Sequence, residues 1–390
     1  MSPRYVRKIK PTENNRQFVS IPTIPDPAQK FNKSNNLFLA SHTQKFLLCN
    51  YNARLFTNLS IPSLLNPPIM NKKCLILAAG LTGLLAGSSA SAAINIDTVS
   101  VGDAGNANDS FGFGGVSYNY HIGTHEVTNN EYAAFLNAKA GSSDPNGLYN
   151  TNMGSSSHGG INKSGGTYSV KSGFSNKPVN FVSFWDATRF SNWLTNGQGN
   201  GDTETGVYNL TSTGINNNTI TRDSTAFNNG GVAIASENEW YKAAYYYGSG
   251  SYFNYPTQSN LAPTATIPNS TDANSANFDS SVGSVSDVGS YTLADSHYGT
   301  FDQGGNVQEW NDNIVTTSFR RMRGASWINS DVLNLSSSNS SKTDPIIGNS
   351  TMGFRVSSLA PIPEPSAYAA ILGCLGLGLA LIRRKGRSTV

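Results

Sequence analysis

An α+β domain with low regular secondary structure and long Gly/Asn/Ser loops is what this sequence predicts, on three observations. Three segments open with a residue able to cap a helix and continue with apolar residues at helical spacing. Short strand-like runs flank them. Long stretches rich in Gly, Asn, Ser and Thr, chiefly 141–176, 197–230 and 248–287, lie between. Such residues favour turns over helix interiors, and loops this long in a compact domain are usually functional or disordered.

The three helix starts share one device. Thr128-Asn-Asn-Glu131 precedes Tyr132, Ala133, Phe135 and Leu136; Ser183-Phe-Trp-Asp186 precedes Ala187, Phe190, Trp193 and Leu194; Ser236-Glu-Asn-Glu239 precedes Trp240, Ala243, Ala244 and Tyr247. Each reads as a capping box or a near relative of one. Strands are expected over 116–122, 231–235, 322–326 and 353–356.

Charge divides the chain. Residues 1–93 hold 11 Lys/Arg against 2 acids, whereas residues 94–360 hold 12 Lys/Arg against 21 Asp/Glu. The middle is acidic, which excludes the basic face that nucleic-acid binding needs and leaves room for cations. Cys49, Cys74 and Cys374 all lie outside it. The middle therefore has no disulfide, thiolate metal site or Cys nucleophile.

The ends read as addressing signals. Residues 1–69 have no sustained hydrophobic period and are expected to be disordered or to follow a mis-assigned start. Met70-Asn-Lys-Lys, the apolar run 74–86 and Ala90-Ser-Ala92 have the three parts of a secretory signal peptide over 70–92. Over 361–390, Pro363-Glu-Pro365, the apolar run 367–382 and Arg383-Arg-Lys385 resemble the PEP-CTERM sorting signal of bacterial surface and exopolysaccharide-associated proteins. That resemblance implies processing by an exosortase, transient membrane association and a place in the cell envelope, surface or extracellular matrix. An ordinary C-terminal transmembrane anchor is the alternative, though the run is short of the roughly 20 residues a span wants.

Within 94–360 the densest stretch is 299–313. It packs Gly304-Gly305, Asp302, Glu309 and Trp310 into a few residues. The plain reading is a Gly-rich turn before a core aromatic. The sharper one is a hard-cation site, since carboxylates beside bent backbone carbonyls suit calcium.

Six motifs in order, Glu126-Val-Thr-Asn-Asn-Glu-Tyr132, Pro178-Val-Asn-Phe-Val-Ser-Phe-Trp-Asp-Ala187, Ala235-Ser-Glu-Asn-Glu-Trp240, Gly304-Gly-Asn-Val-Gln-Glu-Trp310, Arg323-Gly-Ala-Ser-Trp327 and Gly353-Phe-Arg355, resemble the formylglycine-generating enzyme (sulfatase-modifying factor) domain. The resemblance covers residues 95–358 and implies a C-type-lectin-related α+β fold. It also implies a structural calcium on Asp302, Gly305, Val307 and Glu309, and a second calcium site in which Asn277 corresponds to a ligand. The family's copper-dependent oxidases use two cysteines between the Arg-Gly-Gly-Ser-Trp-like segment and Gly-Phe-Arg. Here the interval 328–352 has none, and copper(I) wants soft thiolates. Ala325 also stands where the family has its second Gly.

Other groups weigh less. His121 and His125, four apart on a strand, are about 13 Å apart and too distant for one ion. His158 and His297 lack a partner at ligand spacing. Arg323 is expected to pair with a core carboxylate. Tyr246, Tyr252 and Tyr255 are candidates for an exposed sugar-stacking surface. Three functions remain open: a non-catalytic, calcium-stabilised binding module for extracellular polysaccharide or a surface protein; a formylglycine-generating oxidase or uncharacterised enzyme of that family; and an adhesin-like wall protein.

Overall fold

A computed structural model describes residues 93–268 and 271–362. The expected signal peptide over 70–92, the stretch 1–69 and the sorting signal from Pro363 onward lie outside the described residues. Among the described residues no helix is long and apolar enough to cross a membrane.

The three expected helices form where their caps place them: α1 (Asn129–Lys139), α2 (Phe184–Thr195) and α3 (Glu237–Tyr245). Thr128, Ser183 and Ser236 each accept from the N3 amide, and Glu131, Asp186 and Glu239 return a bond to the cap amide, closing three capping boxes. A lost cap costs about 1 kcal/mol, a large share for helices this short. Helix α2 is buried from Phe184 to Leu194 and so runs through the interior. Tyr132 and Phe135 of α1 meet Phe190 and Trp193 of α2 at ring-centroid distances of 5.3 to 6.0 Å.

Two four-stranded sheets carry the rest. Numbered along the chain, the strands are β1 (Thr98–Val101), β2 (Tyr120–Gly123), β3 (Ala233–Ile234), β4 (Gln308–Thr316), β5 (Phe319–Arg323), β6 (Ser341–Thr343), β7 (Met352–Phe354) and β8 (Val356–Ser358). The first sheet has the order β1-β2-β8-β3 and is antiparallel throughout. The second has the order β6-β5-β4-β7, with β4 and β7 parallel. The long loops hold only short pairs, such as the hairpin Ile161–Ser164 with Thr167–Val170.

The strand expectations were partly displaced. Strand β4 is the longest, and the polar run Asn311-Asp-Asn313 hides it in the sequence. Its ladder shifts register between Trp310 and Ile314, an irregularity that can re-aim side chains out of strict alternation. The strand expected over 322–326 is instead Phe319–Arg323, because Gly324 and Ala325 turn with φ of 95° and 59°. Left-handed backbone costs a non-Gly residue about 1–2 kcal/mol, so Ala325 is strained at this turn.

One residue joins the sheets. Strand β7 ends at Phe354 and β8 begins at Val356, so Arg355 is the whole connection. Its guanidinium is fully buried and all its donors are used. Nε and Nη2 form a fork on Glu309 of β4 at 2.6 and 2.8 Å. Nη1 donates to the carbonyls of Gly123 and Thr124, and Nη2 also to that of Phe301. Trp240 of α3 donates its indole N–H to the same Glu309 carboxylate at 2.8 Å. Breaking a buried pair by removing one partner costs about 3–5 kcal/mol. Arg355→Ala is expected to lower unfolding free energy by about that much in urea titration, and Arg355→Lys to restore only a small part, because an ammonium lacks the fork. Full stability in the Lys variant would show that the fork geometry is unimportant.

Candidate acidic site around Glu126 and Asp302

The turn ahead of β4 is built from left-handed residues. Asp302, Gly305 and Asn306 have φ of 60°, 91° and 55°, conformations that Asp and Asn tolerate better than other non-Gly residues. Gly305 has a second reason to be Gly: a Cβ there would lie 2.3 Å from the Asn277 carbonyl oxygen. The Asn306 amide donates to that same oxygen at 2.8 Å. Trp310 is fully buried and edge-on to Phe184, a core anchor.

The turn brings some of the expected calcium ligands together. Asn277 lies against Gly305 and Asn306, and its Oδ1 is buried with no hydrogen-bond partner. The Val307 side chain packs with Val285 and Trp327. Asp302 Oδ2 accepts from the Gly289 amide at 2.6 Å. Glu309 is placed differently: both its oxygens accept from Arg355, and one also from Trp240, so its charge is already neutralised. Among the described residues no three His, Cys, Asp or Glu side chains gather closely enough to hold a metal ion by themselves. A cation here would depend on amide and carbonyl oxygens beside Asp302.

A residue the metal reading passed over completes the site. Glu126 is 1% exposed; its Oε1 accepts from Asn306 Nδ2 at 3.1 Å and its Oε2 has no partner. Its motif position before α1 was visible in the sequence, but its contact with a turn 180 residues away was not. Burial pushes its carboxyl well above the usual range, and the charge of Asp302 adds to that, with Arg355 opposing. Asp302 is pushed up to about 6, chiefly by burial, against the Gly289 amide and Arg355. Three acids thus face one guanidinium whose donors are spent. His125, stacked on Phe301 at 5.4 Å, adds no charge, because burial and then Arg355 hold it down to about 4.

On the outer side of this segment is a cleft of about 490 Å³ with Asp97, Glu126 and Glu131 among its lining residues, but the Glu126 carboxyl is sealed from solvent. Burial pushes Glu131 up to about 7, against its bonds from Thr128, with Asp97 adding repulsion. The chemistry on offer is attraction of a cation.

The remaining candidates resolve simply. Tyr246 and Tyr255 are 4% and 6% exposed, and half-buried Tyr252 bonds through its hydroxyl to Asn106 and Ala107. The sugar-stacking surface expected on these three tyrosines is therefore absent, since packing has taken their faces. Arg323 pairs with Glu237 at 2.7 Å, the core carboxylate expected for it. His121 sits in the β1–β2–β8 ladder, and His158 packs on Trp327 at 4.7 Å with Ser284 at 3.1 Å.

Glu131 and Asp302 have folded pKa values above their unfolded ones, so each stabilises the fold fully below the unfolded value and loses that effect as pH rises through the folded value. In chelator, the melting temperature is expected to fall between about pH 4 and about pH 7 on their account, and Glu131→Gln to flatten the fall. An equally steep profile in the variant would count against it.

The profile of the sulfatase-modifying factor enzyme 1-like domain matches residues 115–359. Among solved structures the chain is similar to variable protein 1 of Treponema denticola, at 18% identity over 70% of this chain and 99% of that one, with a TM-score of 0.43. It is similar to CarF at 20% identity over 68% and 98%, TM-score 0.43. PvdO from Pseudomonas aeruginosa shares 16% identity over 67% and 92%, TM-score 0.37. A search of curated proteins returned no match. With a match across most of its length, this chain belongs to the sulfatase-modifying factor, or formylglycine-generating-enzyme-like, domain family.

Proposed function

We propose that this protein is an exported, non-catalytic binding module on a C-type-lectin-related scaffold, stabilised by calcium and directed at extracellular polysaccharide or a surface protein. The observation that carries the reading is the interval 328–352. The family's oxidases place two thiolates there, and this chain has no cysteine from 94 to 360. What occupies the interval is packing: Leu335 is fully buried, and Arg323 donates to the carbonyls of Ser337 and Asn339. Without soft ligands copper(I) has no seat. Export rests on the signal peptide over 70–92 and the PEP-CTERM segment over 361–390, with exosortase as the processing partner and the cell envelope or matrix as the destination.

The calcium part of the proposal centres on Asp302 with the carbonyls of Gly305 and Val307, and on Asn277 for a second ion. Glu309 would contribute only if it shared its carboxylate with Arg355. The surplus of buried acid supports a cation, since hard oxygen donors without a counter-charge suit calcium.

Two measurements decide. A sulfatase peptide incubated with the purified protein and copper is expected to keep its cysteine unchanged by mass spectrometry; conversion to formylglycine would establish the oxidase reading instead. Calcium at roughly a hundred times its Kd would stabilise by about 2.7 kcal/mol. Chelation is accordingly expected to lower the melting temperature, and Asp302→Ala to abolish that response. An identical melt with and without chelator would remove calcium from the proposal.

A further inference from the structure

A hollow of about 440 Å³ lies over the start of α2, walled by the turn 145–147, by Ile215 of the short helix Ser212–Asn216 and by the turn 345–349. That is the size of a small-molecule site. Its rim is held by backbone. The Phe181 and Phe184 amides donate to the carbonyls of Asn349 and Pro345 at 2.8 and 3.0 Å, and a Cβ on Gly348 would lie 2.7 Å from the Phe181 carbonyl. Phe181 itself is left-handed, with φ of 59°, a conformation rare for a bulky residue and one that recurs where a fold shapes a site.

Two side chains in the wall have unused hydrogen-bonding groups. Asp186 and Arg189 are 8% and 7% exposed, and both line the hollow. Ser183 gives its amide and its hydroxyl to Asp186 Oδ2, which leaves Oδ1 without a protein partner. Glu204 takes Nε and Nη2 of Arg189 in a fork at 2.8 and 3.1 Å, which leaves Nη1 without one. Unlike Oε2 of Glu126, neither atom is sealed from solvent. Buried donors and acceptors left unmade are costly, so a ligand that meets both is favoured.

Their placement narrows the ligand. Three residues apart on α2, Asp186 and Arg189 share one face. Glu204 balances Arg189, while Arg189 and the N-terminus of α2 bear on Asp186. The hollow thus offers an acceptor beside a donor with little net charge, a pattern that adjacent ring hydroxyls match and an ion does not. Asn146 and Asn150 add amides, and Ile215 and Ile346 form an aliphatic flank for a C–H face.

We propose that this hollow binds a neutral pyranose ring of a polysaccharide, one hydroxyl donating to Asp186 Oδ1 and its neighbour accepting from Arg189 Nη1. The inference rests on the polysaccharide-binding reading and gives it a site and a chemical class.

The test is calorimetry on the full chain with neutral hexamers of glucose, mannose and galactose, a galacturonic acid hexamer and a glucosamine hexamer. At least one neutral hexamer is expected to bind, and more tightly than either charged one. Arg189→Lys keeps a charge opposite Glu204 but removes Nη1, and is expected to weaken that binding roughly tenfold, the scale of one hydrogen bond to a charged group. Ile346→Asp, at a position 66% exposed, is expected to weaken it severalfold and serves as the variant whose folding is not at risk. Binding that both substitutions leave unchanged overturns this site and leaves the polysaccharide reading standing. Equal or tighter binding of a charged hexamer overturns the neutral ring. Binding of no hexamer overturns the site and the polysaccharide reading together. A sulfatase peptide that binds in their place, with the same sensitivity to both substitutions, assigns the hollow to a polypeptide and overturns the sugar.

Discussion

The buried pair of Arg355 and Glu309 sets the terms for the rest of the domain. Two ions of this kind are expensive to take out of water, and the cost is offset only when every donor and acceptor is satisfied. Arg355 meets that condition by reaching the end of β2, the Phe301 turn and β4 at once. The same bonds fix the two sheets relative to one another across a one-residue connection. They also exhaust the guanidinium, which is why Glu126 and Asp302 receive its charge but no hydrogen bond from it. The acidic site is thus a consequence of how the sheets are joined.

Similar reasoning explains how a domain with so little ladder and no disulfide stays ordered. Buried side chains bond to loop carbonyls in place of strand partners. Asn192 of α2 holds the carbonyls of Thr203 and Tyr208 and accepts from the Tyr208 amide. Asn129 holds those of Phe174, Lys177 and Pro178. Arg222 bridges Glu239 and Asp312, so the carboxylate that closes the cap of α3 also anchors the 197–230 loop. Backbone groups in irregular chain must find partners somewhere, and here the abundant Asn supplies many of them. Much of the Gly/Asn/Ser content is therefore load carried inside the loops.

This accounts for what could be read in advance. The helices were legible because a capping box is local: Ser183 and Asp186 are three residues apart and need no tertiary knowledge. Trp310 as a core anchor and Arg323 as an ion-pair partner followed from residue type and motif position. The partners of Glu309 and Glu126 were not legible, since Arg355 and Asn306 lie 46 and 180 residues away. The tyrosines misled for the same reason. Gly and Asn neighbours suggested exposure for Tyr246, yet its ring packs on Tyr252 and Tyr298. Strand β4 was obscured by a bulge that breaks alternation.

The contrast between the two acid groups carries the functional reading. Glu309 accepts from Arg355 and Trp240 and has nothing left to offer a ligand beyond a shared lone pair. Glu126, buried nearly as well, has an oxygen with no donor in the protein. If burial alone determined the design, a neutral residue of the same shape would serve better at Glu126, because a buried carboxyl oxygen without a donor only subtracts stability. An ion beside Asp302, as proposed, would supply the opposite charge that the protein does not fully bring to Glu126. The sheet-joining arginine thus satisfies Glu309 in full and leaves Glu126 with an oxygen that has no donor.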